Sequence, residues 1–350
     1  MSEAWKDLVD PDRLAAWMDA QGLHPGAPID AAAPLTGGTQ NLLLRFQRGG
    51  RGFVLRRPPR HPRSDGTDTM RREALVLAAL ARTDVPHARL IAACDDPGVL
   101  GAGFYLMEPV DGFNPTAGLP AVAAGQPHWC HRMGLAMAHV AADIGRVDPA
   151  HTGLPGAARL DGWIARQAPR WQAQLDSYAQ FTGWPGPSAL PGVSDVLRWL
   201  AQHPPGRFQG GLLHGDFHFA NVLFREDAPQ LAAVVDWELA SLGDPLLDLG
   251  WLIATWPDAD GHSAVPLLDV RPWVGFPDVR ELADAYARRS GRDLNDLDWF
   301  VALACVKLAV ILEGTHARAH AGHATMEMGT QLHASACRLL ARALERIESS

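Results

Sequence analysis

The sequence predicts an α+β chain of two lobes, a small antiparallel sheet with one helix followed by a larger and mostly helical part. Two observations carry this expectation. Over residues 1–107 short strand-like runs dominate, at 42–46, 53–56, 89–93 and 103–107, with one segment of helical period at 70–80. From residue 108 to 350 the period is mostly helical, over 129–147, 160–178, 193–202, 279–289, 296–317 and 325–347. Three short apolar runs interrupt this second part, at 211–213, 222–224 and 231–235.

Each early element has a local cause. Asp10-Pro11 is a helix start, an N-cap with proline at the first helical position, and Leu14, Trp17 and Met18 give the following turns an apolar stripe that Gly22 ends. Gly49-Gly50-Arg51-Gly52 lies between the first two strand runs and predicts a hairpin turn. Residues 60–69 are polar and broken by proline and glycine, a loop leading into the 70–80 helix. Residues 185–191 and 259–277 are expected to be irregular, and Pro169 to kink its helix.

Composition narrows the function classes. At 350 residues with 47% hydrophobic side chains the chain has enough apolar surface for a large core. A net charge of -8 argues against nucleic-acid binding by phosphate neutralisation. The only lysines are Lys6 and Lys307, so contacts to phosphate groups are expected from arginine. Cys94, Cys130, Cys305 and Cys337 are scattered without metal-ligand spacing and read as free thiols. No stretch is apolar enough to span a bilayer and the first ten residues lack an apolar core, so no membrane partner and a cytoplasmic location are expected.

The chemistry is concentrated in His214-Gly215-Asp216, then Asn221, then the run Val234-Val235 into Asp236-Trp237-Glu238. A carboxylate, an amide five residues on and a second carboxylate after a short hairpin supply oxygen groups suited to a magnesium ion and a hydroxyl. Phosphoryl transfer needs an acceptor hydroxyl aimed at the terminal phosphate and the phosphate charge neutralised by metal. Asp216 takes the first role, as the hydroxyl's hydrogen-bond acceptor, and Asn221 with Asp236 the second. A chance His-Gly-Asp turn is the alternative for the loop alone. The order of Asp216, Asn221 and Asp236 disfavours it.

These residues, together with Leu35-Thr36-Gly37-Gly38-Thr39-Gln40-Asn41, Val54-Leu55-Arg56-Arg57, Arg72-Glu73 and Phe104-Tyr105-Leu106-Met107-Glu108, resemble the aminoglycoside phosphotransferase and choline kinase branch of the protein-kinase-like superfamily. The likeness looks strongest to the phosphotransferase domains associated with acyl-CoA dehydrogenases. It implies a bilobal protein-kinase-like fold, ATP and Mg²⁺ as cofactors, and a small-molecule substrate offering a hydroxyl. Gly37, Gly38 and Thr39 then form a loop near the phosphates, because glycine lets backbone N–H groups approach closely. Arg56 stands where the general kinase pattern has lysine, with Glu73 as its partner. Strand alternation sets Arg57 on the opposite face, so one of the two arginines is expected at the surface, and parity with Val54 favours Arg56 as the inward one. Glu108 and Val110, at the join of the lobes, are implied to contact the nucleotide base through backbone groups, and Asp248 to support the catalytic loop.

The acceptor is the least determined part. Trp163, Arg166, Gln167, Arg170 and Trp171 share a helix face that suits an anionic acceptor such as a hydroxyacyl thioester of coenzyme A, or else an ordinary half-buried amphipathic helix. An aminoglycoside acceptor and a pseudokinase that only binds nucleotide are the competing expectations.

Overall fold

The computed structural model describes residues 4–35, 41–60, 66–155 and 160–349. The chain is an α+β protein whose residues gather into two compact units. Residues 1–111 make the first, joined by 150–154 and 232–240. The second comprises 112–149, 155–231 and 241–350.

In the first unit α1 (Pro11–Ala20) starts as the sequence predicts, with the Asp10 carboxylate accepting from the N–H groups of Asp12 and Arg13. The sheet consists of β1 (Asp30–Pro34), β2 (Leu42–Arg48), β3 (Arg51–Arg57), β4 (Leu90–Cys94) and β5 (Phe104–Met107), in the spatial order β1-β2-β3-β5-β4 with antiparallel neighbours. The β2–β3 turn is tighter than the sequence suggests. Gly49 and Gly50 alone make it, at φ +56° and +76°, the left-handed pair that a two-residue hairpin requires, and Arg51 and Gly52 already belong to β3. Two elements in this unit escape a reading by period, the five-residue edge strand β1 and the one-turn helix α3 (Pro97–Leu100).

One face of the sheet forms the apolar core. Leu44, Phe46, Phe53, Leu55, Phe104 and Leu106 alternate inward from β2, β3 and β5 and pack with Leu14 and Met18 of α1. Helix α2 (Gly66–Leu80) lies against β3, β4 and β5 and is longer than predicted at its start. Helices therefore accompany both faces of β3, which corrects the expectation for its two arginines. Neither is at the surface: Arg56 is 7% and Arg57 4% exposed. Arg56 runs to Glu73 of α2, and Arg57 donates to the carbonyl of Leu8 ahead of α1.

The second unit is mostly helical. It contains α4 (Pro127–Gly145), α5 (Trp163–Asp176), α6 (Val193–Gln202), the strands β6 (Gly211–Leu213) and β7 (Val222–Phe224), and then β8 (Leu231–Val234), along which the chain passes into the first unit. It resumes at β9 (Ser241–Gly243), antiparallel to β6, and continues as α7 (Leu246–Thr255), α8 (Val279–Ser290), α9 (Leu297–His320) and α10 (Met326–Glu348). Helix α7 is buried along its whole length, so it shows no apolar stripe from which a period could be read. Helix α9 is nearly as buried and packs against both α7 and α10. In α5 the tryptophans Trp163 and Trp171 and Gln167 are buried while Arg166 and Arg170 are exposed, the amphipathic arrangement. No helix among the described residues is long and apolar enough to cross a membrane.

Candidate active site

The sequence-predicted residues fall into two clusters, one in each unit. In the second unit β6 delivers the loop that begins at His214, and this loop is held by a buried carboxylate. Asp248 of α7 accepts from the backbone N–H of His214 at 2.7 Å and of Gly215 at 2.9 Å. Gly215 sits at φ +86°, a conformation that a side chain would strain. On the other side of the turn Lys307 of α9 donates to the Gly215 carbonyl at 3.0 Å, and its ammonium lies 4.6 Å from the centre of the Trp251 ring.

Clamped in this way, the loop presents Asp216 in one fixed orientation. Its Oδ1 accepts from Trp251 Nε1 at 3.0 Å and lies 2.9 Å from His218 Nε2. Its Oδ2 accepts from Asn221 Nδ2 at 2.9 Å, and the same amide also donates to the Asp216 carbonyl at 2.9 Å. Burial acts to raise the Asp216 pKa. His218, by charge and by hydrogen bond, with His214 and Asn221, outweighs it and holds the carboxylate well below its ordinary range. Because both donors of Asn221 are spent on Asp216, its carbonyl oxygen remains for another partner.

Burial lowers Lys307 to about 8, against the pull of Asp248 and Asp216. Between about pH 8 and the ordinary value of 10.5 the unfolded chain therefore holds a proton that the folded chain has released, and folding stability rises with pH over that window. Lys307→Met is expected to remove this part of the rise. Urea midpoints measured across the window check it, and an unchanged slope would refute the assignment.

In the first unit three sequence-predicted residues converge. Arg56 Nε lies 2.9 Å from Glu73 Oε2, and its Nη2 is 2.7 Å from Asp236 Oδ1 and 3.6 Å from Glu238 Oε2. Tyr105 of β5 donates to Glu73 at 2.8 Å. Burial by itself would lower the Arg56 pKa. Glu73, Tyr105 and Asp236 reverse that and keep the guanidinium charged. Glu73 is fully buried and no surface charge. Asp236 reaches this cluster because the 232–240 segment docks on the first unit, with Val234 N–H donating to Pro86 O at 2.8 Å and Arg72 donating to Ala240 O at 2.9 Å. At φ +64° and ψ +61° Asp236 occupies the left-handed region, where non-glycine residues are strained.

The remaining predicted residues stand apart from these clusters. Glu108 donates its backbone N–H to Arg89 O at 2.9 Å, and its side chain pairs with Arg51 at 2.8 Å, so its carbonyl is the backbone group left for a ligand. Val110 follows in the same segment after β5. Gly37, Gly38 and Thr39 lie outside the described residues. Sequence reasoning missed Tyr105, Trp251 and the role of Lys307. Aromatic and lysine side chains carry no motif spacing here, although the scarcity of lysine was a usable signal for Lys307.

A carboxylate fixed by an asparagine five residues later, and a buried arginine–glutamate pair reaching a strained second aspartate, describe a kinase-like phosphotransferase. Residues 31–300 match the model of the phosphotransferase enzyme family, and the chain belongs to that family. Among curated proteins it is similar to acyl-CoA dehydrogenase family member 11 of Gallus gallus, 30% identical over 318 residues and 87% of this chain. It is also similar to family member 10 of Mus musculus, at 27% over 89% of this chain. The chain spans 39% and 28% of the length of these two relatives. Among solved structures it is similar to a Ralstonia eutropha protein provisionally assigned as an aminoglycoside phosphotransferase, with a TM-score of 0.77 and 26% identity over 95% of this chain and 98% of that one. A complex of aminoglycoside phosphotransferase APH(4)-Ia with ADP and hygromycin B shares the fold at a TM-score of 0.55 and 17% identity, over 92% of this chain and 97% of that one.

Proposed function

We propose that this enzyme transfers the γ-phosphate of ATP to a hydroxyl of a small metabolite. The observation that carries the reading is the fixed Asp216 carboxylate, whose two oxygens are held by Trp251, His218 and Asn221. A carboxylate held so far below its ordinary range is a weak base, suited to aligning a hydroxyl and taking its proton late. That is what a loose phosphoryl-transfer transition state requires.

The donor chemistry fits magnesium, a hard cation that takes oxygen ligands. The side-chain carbonyl oxygen of Asn221 and the carboxylate of Asp236 are of that kind, and by their spacing in the sequence these two residues would hold the ion. When bound, it would neutralise charge on the phosphates. Arg56, kept charged by Glu73, would contact the phosphates in the place of the usual lysine. Glu108 and Val110 would meet the base, and Gly37, Gly38 and Thr39 the phosphates.

For the acceptor we favour a hydroxyacyl thioester of coenzyme A. Its support is the similarity to acyl-CoA dehydrogenase family members and the exposed Arg166 and Arg170 on α5, which suit an anionic acceptor. The competing reading, an aminoglycoside acceptor, rests on the solved structures that share the fold. ATP consumption measured with hydroxyacyl-CoAs, choline-like alcohols and aminoglycosides separates them. Turnover is expected with the thioesters and to fall on Arg166→Glu/Arg170→Glu. Turnover with aminoglycosides alone would overturn the proposed acceptor.

A further inference from the structure

The last turns of α9 and the facing part of α10 carry a polar cluster that the phosphotransfer chemistry does not use. Glu313 is completely buried, and no lysine or arginine among the described residues pairs with it. Its two oxygens are divided between imidazoles from two helices. Oε1 lies 2.9 Å from Nδ1 of His316 on α9, and Oε2 lies 2.7 Å from Nδ1 of His333 on α10. Trp184 Nε1 also donates to Oε1, at 2.7 Å.

Helical spacing explains the convergence. Glu313 and His316 are three residues apart on one face of α9, and His333 enters from the neighbouring helix. The two helices approach closely at Gly329, where a Cβ would come within 2.7 Å of the Ala319 side chain. As a result the His316 and His333 rings are 4.4 Å apart, and the ligand atoms of Glu313, His316 and His333 all lie within 4.8 Å of one another.

We propose that Glu313, His316 and His333 bind one divalent transition-metal ion of the zinc class, which ties α9 to α10. Two imidazoles and a carboxylate are a donor set suited to such ions. Bonds of about 2.0–2.1 Å at tetrahedral angles put neighbouring ligand atoms about 3.3 Å apart. The separations in the cluster, 2.7 and 2.9 Å between each imidazole and its own carboxylate oxygen and none above 4.8 Å, bracket that value, and side-chain shifts of about an ångström close the difference. The ion's charge would also compensate the buried carboxylate more fully than hydrogen bonds from Trp184 and two imidazoles do. Behind His316 its other ring nitrogen meets Nε2 of His320 at 3.1 Å, the kind of outer hydrogen bond that orients a ligating imidazole. A cavity of about 500 Å³ is lined in part by His320, so the outer partner of His316 borders open space. The site is separate from the catalytic loop's contact on α9, since Glu313 follows Lys307 by six residues, about 9 Å along the helix axis.

The test uses the full chain stripped with EDTA and titrated with ZnCl2 in excess Mg²⁺, so that sites preferring the hard cation are filled. One equivalent of zinc is expected to bind. The affinity should fall at least about tenfold in His333→Gln and in Glu313→Gln. Co²⁺ in place of zinc should give the visible bands of a nitrogen and oxygen site, without thiolate charge transfer. The wild-type stoichiometry and spectrum need no variant, so a misfolded substitution leaves the test intact. Absence of zinc binding, affinity unchanged in folded His333→Gln, or a thiolate band lost in Cys337→Ser would each overturn the proposal.

Discussion

Asp216→Ala is expected to lower turnover by about 10²- to 10⁴-fold while nucleotide still binds in the presence of magnesium. The reason is local. Asp216 is the acceptor around which Trp251, His218 and Asn221 are arranged, and none of these can replace a carboxylate oxygen in aligning a hydroxyl. Loss of the carboxylate leaves the Trp251 and Asn221 N–H groups without their partner, so part of the effect on alanine is structural. Asp216→Asn separates the two contributions. It keeps an oxygen for Trp251 but cannot take a proton, and its turnover should be as low as that of the alanine variant with stability nearer the wild type. Asp236→Ala should show the opposite pattern, with weakened binding of the magnesium–nucleotide complex itself. Single-turnover kinetics with nucleotide binding measured in parallel decide the matter. Wild-type turnover in a folded Asp216→Asn would end the phosphotransfer mechanism proposed above.

Arg56→Ala is expected to destabilise the first unit by about 3–5 kcal/mol, the range for breaking a buried ion pair from one side. Glu73 would remain in the interior with the Tyr105 hydroxyl as its nearest donor, and Asp236 would lose the contact that faces it toward β3. Lysine is no full equivalent here, because its ammonium lacks the planar fork that sets Nε and Nη2 against Glu73 while Nη2 also reaches Asp236. The paired variant Arg56→Met/Glu73→Leu should recover much of the stability, since apolar residues of similar volume fill such sites without a desolvation penalty. Nucleotide affinity should stay low, because the phosphate contact is gone. Hydrogen exchange of the β3 amides, followed alongside nucleotide titration, tests both statements. Full recovery of nucleotide binding in the paired variant would show that Arg56 serves only the fold.

Much of this architecture was legible in the residues because its causes are local. Asp10-Pro11 caps its helix through its own side chain, the Gly49-Gly50 pair dictates a two-residue hairpin, and α6, β6 and β7 begin and end where composition changes. Helix α7 was not legible for the opposite reason. Where neighbours cover a helix on every side, all its positions are apolar and the 3.6-residue period disappears. Edge strand β1 is short and built of alanines, with no strand propensity to announce it.

The candidate site divides along the same line. Sequence by itself singled out the candidate side chains, Asp216, Asn221 and Asp236 in their order and Arg56 as the partner of Glu73, because spacing along a loop and parity along a strand are properties of the chain. Tertiary structure alone decided how they are held. Arg57 is buried because a second element covers the other face of the sheet, and Asp236 meets Arg56 because a segment 180 residues later docks on the first unit. Trp251 and Lys307, which fix the Asp216 loop, come from helices whose approach no local pattern records. The same holds for Glu313, His316 and His333: the first two share a helix face by their spacing, and the third joins them only because a glycine lets the neighbouring helix come close.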